Sequence, residues 1–145
     1  DLADKKKEVY DEDLESLVNE RDREADALYR LDRLQISCGF PLKPTATVTL
    51  VDPEGAHVTV CDFGTGPVDA AYKAIDKVLQ QKVDLTEYSV TSVTRGIDAL
   101  GEVTVRIKDE AGNTYIGRGA DGDIIVSSSK AYLNALNRML GDAKR

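Results

Sequence analysis

The feature that most constrains this chain is that it repeats itself. Thr47-Val48-Thr49-Leu50-Val51-Asp52-Pro53-Glu54-Gly55 lies over Thr104-Val105-Arg106-Ile107-Lys108-Asp109-Glu110-Ala111-Gly112 at an offset of 57, with Thr, Val, Asp and Gly coincident. Further on, Ala74–Leu79 lies over Ala135–Leu140 at an offset of 61, which predicts about four extra residues between the third strand and the helix of the second copy. Within the first copy, Ala46, Val48 and Leu50 alternate with Thr45, Thr47 and Thr49, the period of a half-buried strand. Asp52-Pro53-Glu54-Gly55 supplies a turn, and a third strand runs from about Ala56 to Asp62. After Gly64-Thr65-Gly66, Pro67 suits a first helical position, and Val68, Ala71, Ile75, Val78 and Leu79 recur at helical spacing to about Gln81. The order predicts an α+β fold of tandem βββα units. A unit of fewer than about 60 residues buries only about 60% of its unfolded surface, so the two must pack together. A three-stranded sheet with one helix leaves edges and a face to be covered, which predicts a pseudo-twofold domain that dimerises.

Composition divides the chain and narrows its partners. Of 45 charged residues (19 basic, 26 acidic), 19 fall within residues 1–33, so a charged appendage precedes the repeat. Asp11-Glu12-Asp13 ahead of Leu14, Leu17 and Val18 reads as a short amphipathic helix within it. The net charge of −7 has the wrong sign for a phosphate backbone, which argues against nucleic acid as a partner. The sequence has no run near the roughly 18 apolar residues that a membrane span requires, so no membrane partner is expected. Cys38 and Cys61 form no metal or disulfide spacing and are expected as half-buried strand residues in a reducing cytoplasm. The first residue is Asp1 rather than Met, and the chain reads as a piece of a longer protein.

Residues suited to catalysis are few. His57 is the one imidazole, and it lacks a neighbouring nucleophile or paired acid, so it is read as a surface or packing residue. Asp121-Gly122-Asp123 departs from the order of a calcium loop at Ile124-Ile125-Val126 and reads as a turn leading into a helix. Gly64-Thr65-Gly66 before a helix is different, because free N–H groups at the positive end of a helix dipole can hold an anion. Gly117-Arg118-Gly119-Ala120-Asp121-Gly122 reads as its diverged echo in the second unit. Tyr72 and Tyr132 stand at matching helix positions and are expected to pack in a core or interface.

The stretch Gly64-Thr65-Gly66-Pro67-Val68-Asp69-Ala70-Ala71-Tyr72-Lys73-Ala74-Ile75 closely resembles the C-terminal regulatory domain of the 2-isopropylmalate synthases. Ala3–Val9 with Asp11–Leu14, Thr45–Val48, Gly117–Asp121 and Lys130–Asn137 agree with the same family, so the resemblance covers nearly the whole chain. It implies a helical linker fragment at residues 1–30 and a leucine-sensing domain at 31–145, divided into units at about 31–83 and 84–145. It further implies a homodimer and a separate catalytic barrel that uses a divalent metal and acetyl-CoA to act on 2-oxoisovalerate. The fragment itself is then no enzyme and carries no cofactor. By resemblance L-leucine is the effector, bound by Gly64, Gly66, Val68 and Asp69, with Tyr88, Ser92, Ala99 and Ile124 as pocket residues from the second unit. Asp69 suits either the effector's ammonium or the helix dipole. Two alternatives stand beside this reading: the isoleucine-sensing domain of a citramalate synthase, and a purely structural dimerisation module.

Overall fold

A computed structural model of the chain describes residues 28–95 and 98–143. Its elements follow the order βββαβββα: β1 Arg30–Ser37, β2 Thr45–Val51, β3 His57–Phe63, α1 Pro67–Leu79, β4 Asp84–Arg95, β5 Asp98–Lys108, β6 Thr114–Asp121 and α2 Ile124–Ala143. Each trio of strands forms one antiparallel sheet, β1-β2-β3 and β4-β5-β6. The tandem βββα reading of the sequence therefore holds. The short helix expected at Asp11–Val18 lies outside the described residues.

Register shows how closely the units correspond. Leu31, Leu34 and Ile36 stand opposite Leu50, Val48 and Ala46, while Leu85, Tyr88 and Val90 stand opposite Ile107, Val105 and Val103. Both first strands are bulged at the same place, Asp32 in β1 and Thr86 in β4. The bulge shifts the phase of the alternation, and Arg30, Asp32 and Arg33 add charge on exposed positions. For that reason β1 begins four residues before the composition boundary at Leu34.

Residues directly opposite in a ladder share a face, and here the inward faces supply Ala46, Val48, Leu50, Val103, Val105 and Ile107, all fully buried. Alanines 70, 71 and 74 with Ile75 on α1, and Ala131, Leu133, Ala135 and Leu136 on α2, complete a single core across both units. At its centre the Tyr72 and Tyr132 rings stack with centroids 4.1 Å apart and planes 13° from parallel. Fully burying one aliphatic side chain contributes about 1.5–3 kcal/mol, and the two units pool these residues in one core.

Three expectations are corrected. No four-residue insertion separates β6 from α2: both helices begin at the strand offset, Pro67 and Ile124, and α2 is longer, with 20 residues against 13. A four-residue slip is close to one helical turn, so it preserves the buried face, and face matching alone does not detect it. Gly117 and Gly119 are not a turn but part of β6, where a Cβ would strike the backbone of Ala131 and Ala135, or of Ser127 and Ala131, on α2. Cys38 and Cys61 are exposed, since Cys61 pairs with Thr47 on the outward face of the sheet and Cys38 follows the end of β1.

Candidate functional site

The turn into α1 is built for close approach. Gly66 is extended, Pro67 opens the helix, and no side chain caps it, so the Val68 and Asp69 N–H groups lie uncapped at the positive helix end. Asp69 Oδ2 instead reaches back to accept the Thr65 N–H at 2.9 Å and the Thr65 hydroxyl at 3.3 Å, and it pairs with Lys73 Nζ at 3.2 Å. The Thr65 N–H, with Lys73, holds this carboxyl below its ordinary range against the opposing effect of burial. Gly64 is required by space, because a Cβ there would meet Asp69 Oδ2 and, at 2.6 Å, Ala70 N. Its own N–H donates to Pro44 O at 3.0 Å. Gly66 has open space at the same test.

The start of α2 is closed by comparison, since Asp123 Oδ1 accepts the Ile125 N–H at 2.8 Å. Asp121-Gly122-Asp123 is thus the turn into a helix that the sequence led us to expect. Just beyond it, Ser128 Oγ donates to Ile124 O at 2.7 Å, which leaves the Tyr88 hydroxyl, also at 2.7 Å, to donate to Ser128 Oγ. Tyr72 donates to Ser128 O at 3.0 Å. Burial pushes the Tyr72 hydroxyl far above its usual range, so it stays a protonated donor. Ser127 Oγ lies 2.8 Å from Gly101 O, and a Cβ on Gly101 would approach Ile124 Cδ1 to 2.8 Å.

Of the residues singled out from sequence, Tyr88 and Ile124 are therefore joined through Ser128 at the start of α2. Ser92 is exposed and pairs with Gly101 in the ladder, while Ala99 pairs with Thr94 farther along the same hairpin. Gly64, Gly66, Val68 and Asp69 form a separate group at α1. The two groups are linked through Tyr72, one turn past Val68, and its bond to Ser128. Sequence reasoning missed Gly101, Ser127 and Ser128. The available signal was the run Ser127-Ser128-Ser129 inside an amphipathic helix, where each serine is fully buried.

The equivalence of the two sheets exposes an asymmetry. Leu31, Leu34 and Ile36 on β1 are partly buried against the core, yet their counterparts on β4, Leu85 (45% exposed), Tyr88 (40%) and Val90 (47%), lie open. Ile124, which lies against Gly101 on that face, adds to the same open apolar region, while the exposed Leu100 is on the opposite face of the sheet. Both β4 and β5 are longer than β1 and β2.

A cleft of about 580 Å³ lies elsewhere, between Gln80–Lys82, the β5–β6 turn and the end of α2 around Met139 and Asp142. It contains none of the sequence-derived candidates. His57 is exposed and lies 3.9 Å from Asp32 Oδ2. Among the described residues no group of three or more His, Cys, Asp or Glu can hold a metal ion, and no helix is long and apolar enough to cross a membrane.

Residues 8–140 match the family model of the LeuA allosteric (dimerisation) domain. The chain is 59% identical over 140 residues to a 2-isopropylmalate synthase of Olsenella uli, covering 97% of the chain and 27% of that protein. To the 2-isopropylmalate synthase of Trichodesmium erythraeum it is 53% identical over 145 residues, 100% of the chain and 27% of the relative. To that of Synechocystis sp. it is 54% identical over 139 residues, covering 96% and 26%. The chain thus spans about a quarter of the length of these relatives.

Proposed function

The chain belongs to the LeuA allosteric (dimerisation) domain family, and on that premise we propose that it is the regulatory part of a 2-isopropylmalate synthase, binding free L-leucine for end-product feedback inhibition. A free amino acid needs an anion site, an acceptor for its ammonium and an apolar wall. In this reading the effector's carboxylate takes the uncapped Val68 and Asp69 N–H groups, and its ammonium takes the Asp69 carboxylate. Its side chain lies against Tyr88, Ile124 and the open β4 face. The observation that carries the reading is this open face, which ends in a polar link from Tyr88 through Ser128 to Tyr72.

A second copy of the chain is the natural cover for Leu85 and Val90, since an apolar strand left open invites association. Ser92 and Ala99, on the same hairpin, then fall near that contact. The chemistry regulated belongs to a separate barrel of the parent protein, in the cytoplasm, where a divalent metal and acetyl-CoA take part. Leucine inhibits there by favouring one of two states of the whole enzyme.

Calorimetric titration with leucine, isoleucine and valine tests the proposal. Leucine should bind tightest, with the smaller valine weaker because one methylene discriminates by only about 1–3 kcal/mol. Leucine at 100 times its Kd should add about 2.7 kcal/mol of stability. Tightest binding of isoleucine would move the assignment to a citramalate-type sensor, and no binding to a folded dimer would leave a structural module.

A further inference from the structure

The chain enters the first sheet held by a side chain of the second unit. Asn137 on α2 accepts the Tyr29 N–H through Oδ1 at 3.0 Å and donates from Nδ2 to Tyr29 O at 2.8 Å. An amide that pairs with both backbone groups of one residue acts as a one-residue strand partner. It fixes the direction of the chain as well as its position. The two partners are 108 residues apart, and Tyr29 stands one residue before β1.

The helix that carries Asn137 is anchored to its own sheet. Gly117 and Gly119 let it approach β6 closely, Asn134 Nδ2 donates to Arg118 O at 2.6 Å, and Arg138 Nη1 donates to Ile116 O at 2.8 Å. At its beginning the same helix presents Ser128 to Tyr88 and Tyr72, and Ser127 to Gly101. Ser128 and Asn137 are nine residues apart, about 14 Å along a helix axis. A shift at the first must move the second, because α2 and β6 form one packed body.

We propose that Asn137 is a positioning residue that couples the leucine site to residues 28–30, the junction between the domain and the segment preceding it. The inference rests on the proposed leucine site and adds the route by which its occupancy leaves the domain. Leucine that draws Tyr88 and Ile124 together shifts α2 with β6, and Asn137 carries Tyr29 with it. The junction is then held in one of two positions according to whether the site is filled.

Hydrogen exchange of the intact chain, read on peptides covering residues 28–31 with and without saturating leucine, tests this beside a leucine titration. In the unaltered chain leucine should change exchange at these residues by at least about fivefold, the lower end of ordinary coupling. In Asn137→Ala leucine should still bind with a Kd within about threefold of the original, and the response around Tyr88 and Ser128 should persist, while the response at 28–31 disappears. Asn137→Asp keeps the acceptor for the Tyr29 N–H and loses the donor to Tyr29 O, and it serves if the alanine variant does not fold; its response at 28–31 should be reduced. A leucine response at 28–31 that survives both substitutions, or that is missing from the unaltered chain although leucine binds, overturns the coupling role alone. Failure of the unaltered chain to bind leucine at all overturns the site and the coupling together.

Discussion

Tyr132 donates its hydroxyl to Asp76 Oδ1 at 2.5 Å, so the second unit is fastened to the first through a half-buried carboxylate. Burial pushes the Asp76 carboxyl above its ordinary range, and the Tyr132 bond only partly offsets this. The stacked Tyr72 and Tyr132 rings lie beside this bond, so an ionisable carboxyl is set directly against the seam between the two helices.

The consequence is a pH-dependent cost. A carboxyl whose folded pKa is raised holds its proton more tightly in the fold than in the unfolded chain. Its contribution to stability is therefore fully present below the unfolded value, about 3.9, and is lost as pH rises through the folded one. Asp76→Asn, which keeps the acceptor and never ionises, should gain stability relative to the unaltered chain as pH rises from about 4 through the folded value, and then run parallel to it. Asp76→Ala should instead lose about 1–3 kcal/mol at low pH, because Tyr132 is left without its acceptor, and the loss should narrow as pH rises, since alanine does not ionise either. Urea denaturation across that pH range measures both; a gap between the Asp76→Asn variant and the unaltered chain that does not change with pH sinks the account.

The same seam shows what was legible in the sequence. Alternation in β2, the Asp52–Gly55 turn and the helical spacing after Pro67 are local signals that tertiary contacts reinforce, so the tandem βββα order was readable. The first strands were harder because a bulge at Asp32 and at Thr86 resets the alternation. Gly117 and Gly119 looked like a turn because glycine pairs mark turns more often than close strand-to-helix approach, and only the position of α2 distinguishes the two. In the turn into α1, Gly64 and Asp69 were legible as neighbours because glycine turn, helix start and charge are adjacent in sequence. Ser127, Ser128 and Gly101 were not, since their roles depend on a fold that brings β4, β5 and α2 to one point.

Gly117 and Gly119 carry a stability prediction of their own. An added methyl at Gly117 meets Ala131 O and Ala135 N, and at Gly119 it meets Ser127 O and Ala131 N, so helix backbone rather than a side-chain tip must give way. Gly117→Ala and Gly119→Ala should each cost about 3 kcal/mol, the upper part of the range for overpacking. Gly122→Ala, which has open space around it, should stay within about 0.5 kcal/mol. Thermal unfolding of the three variants side by side decides this, and equal melting temperatures would show that α2 is more loosely seated on β6 than its geometry implies.

The open β4 face predicts where self-association can be broken. Val90→Lys places a charge at the middle of that face without touching the buried core, since Val90 is 47% exposed in the single chain. It should turn a dimer into a monomer by light scattering while leaving monomer stability within about 0.5 kcal/mol. Thr59→Lys on β3, also at an exposed position, is the control and should remain dimeric. A Val90→Lys chain that stays dimeric moves the interface away from β4.

Gly101 and Ile124 approach each other at the start of α2, and their relation can be read by a cycle of variants. A methyl on Gly101 closely meets only Ile124 Cδ1, the far end of a side chain, so Gly101→Ala should fold and should push that tip toward the open face. Leucine binding should then weaken by about tenfold, the scale of a lost or displaced methylene, and valine by less. Ile124→Val removes the very carbon that is displaced, so in the Gly101→Ala background it should restore most of the leucine affinity rather than add to the loss. Calorimetric titration of the two single variants and the double variant gives the coupling directly. Additive losses would mean that Gly101 and Ile124 act on the effector separately, or that the leucine side chain lies elsewhere than against Ile124.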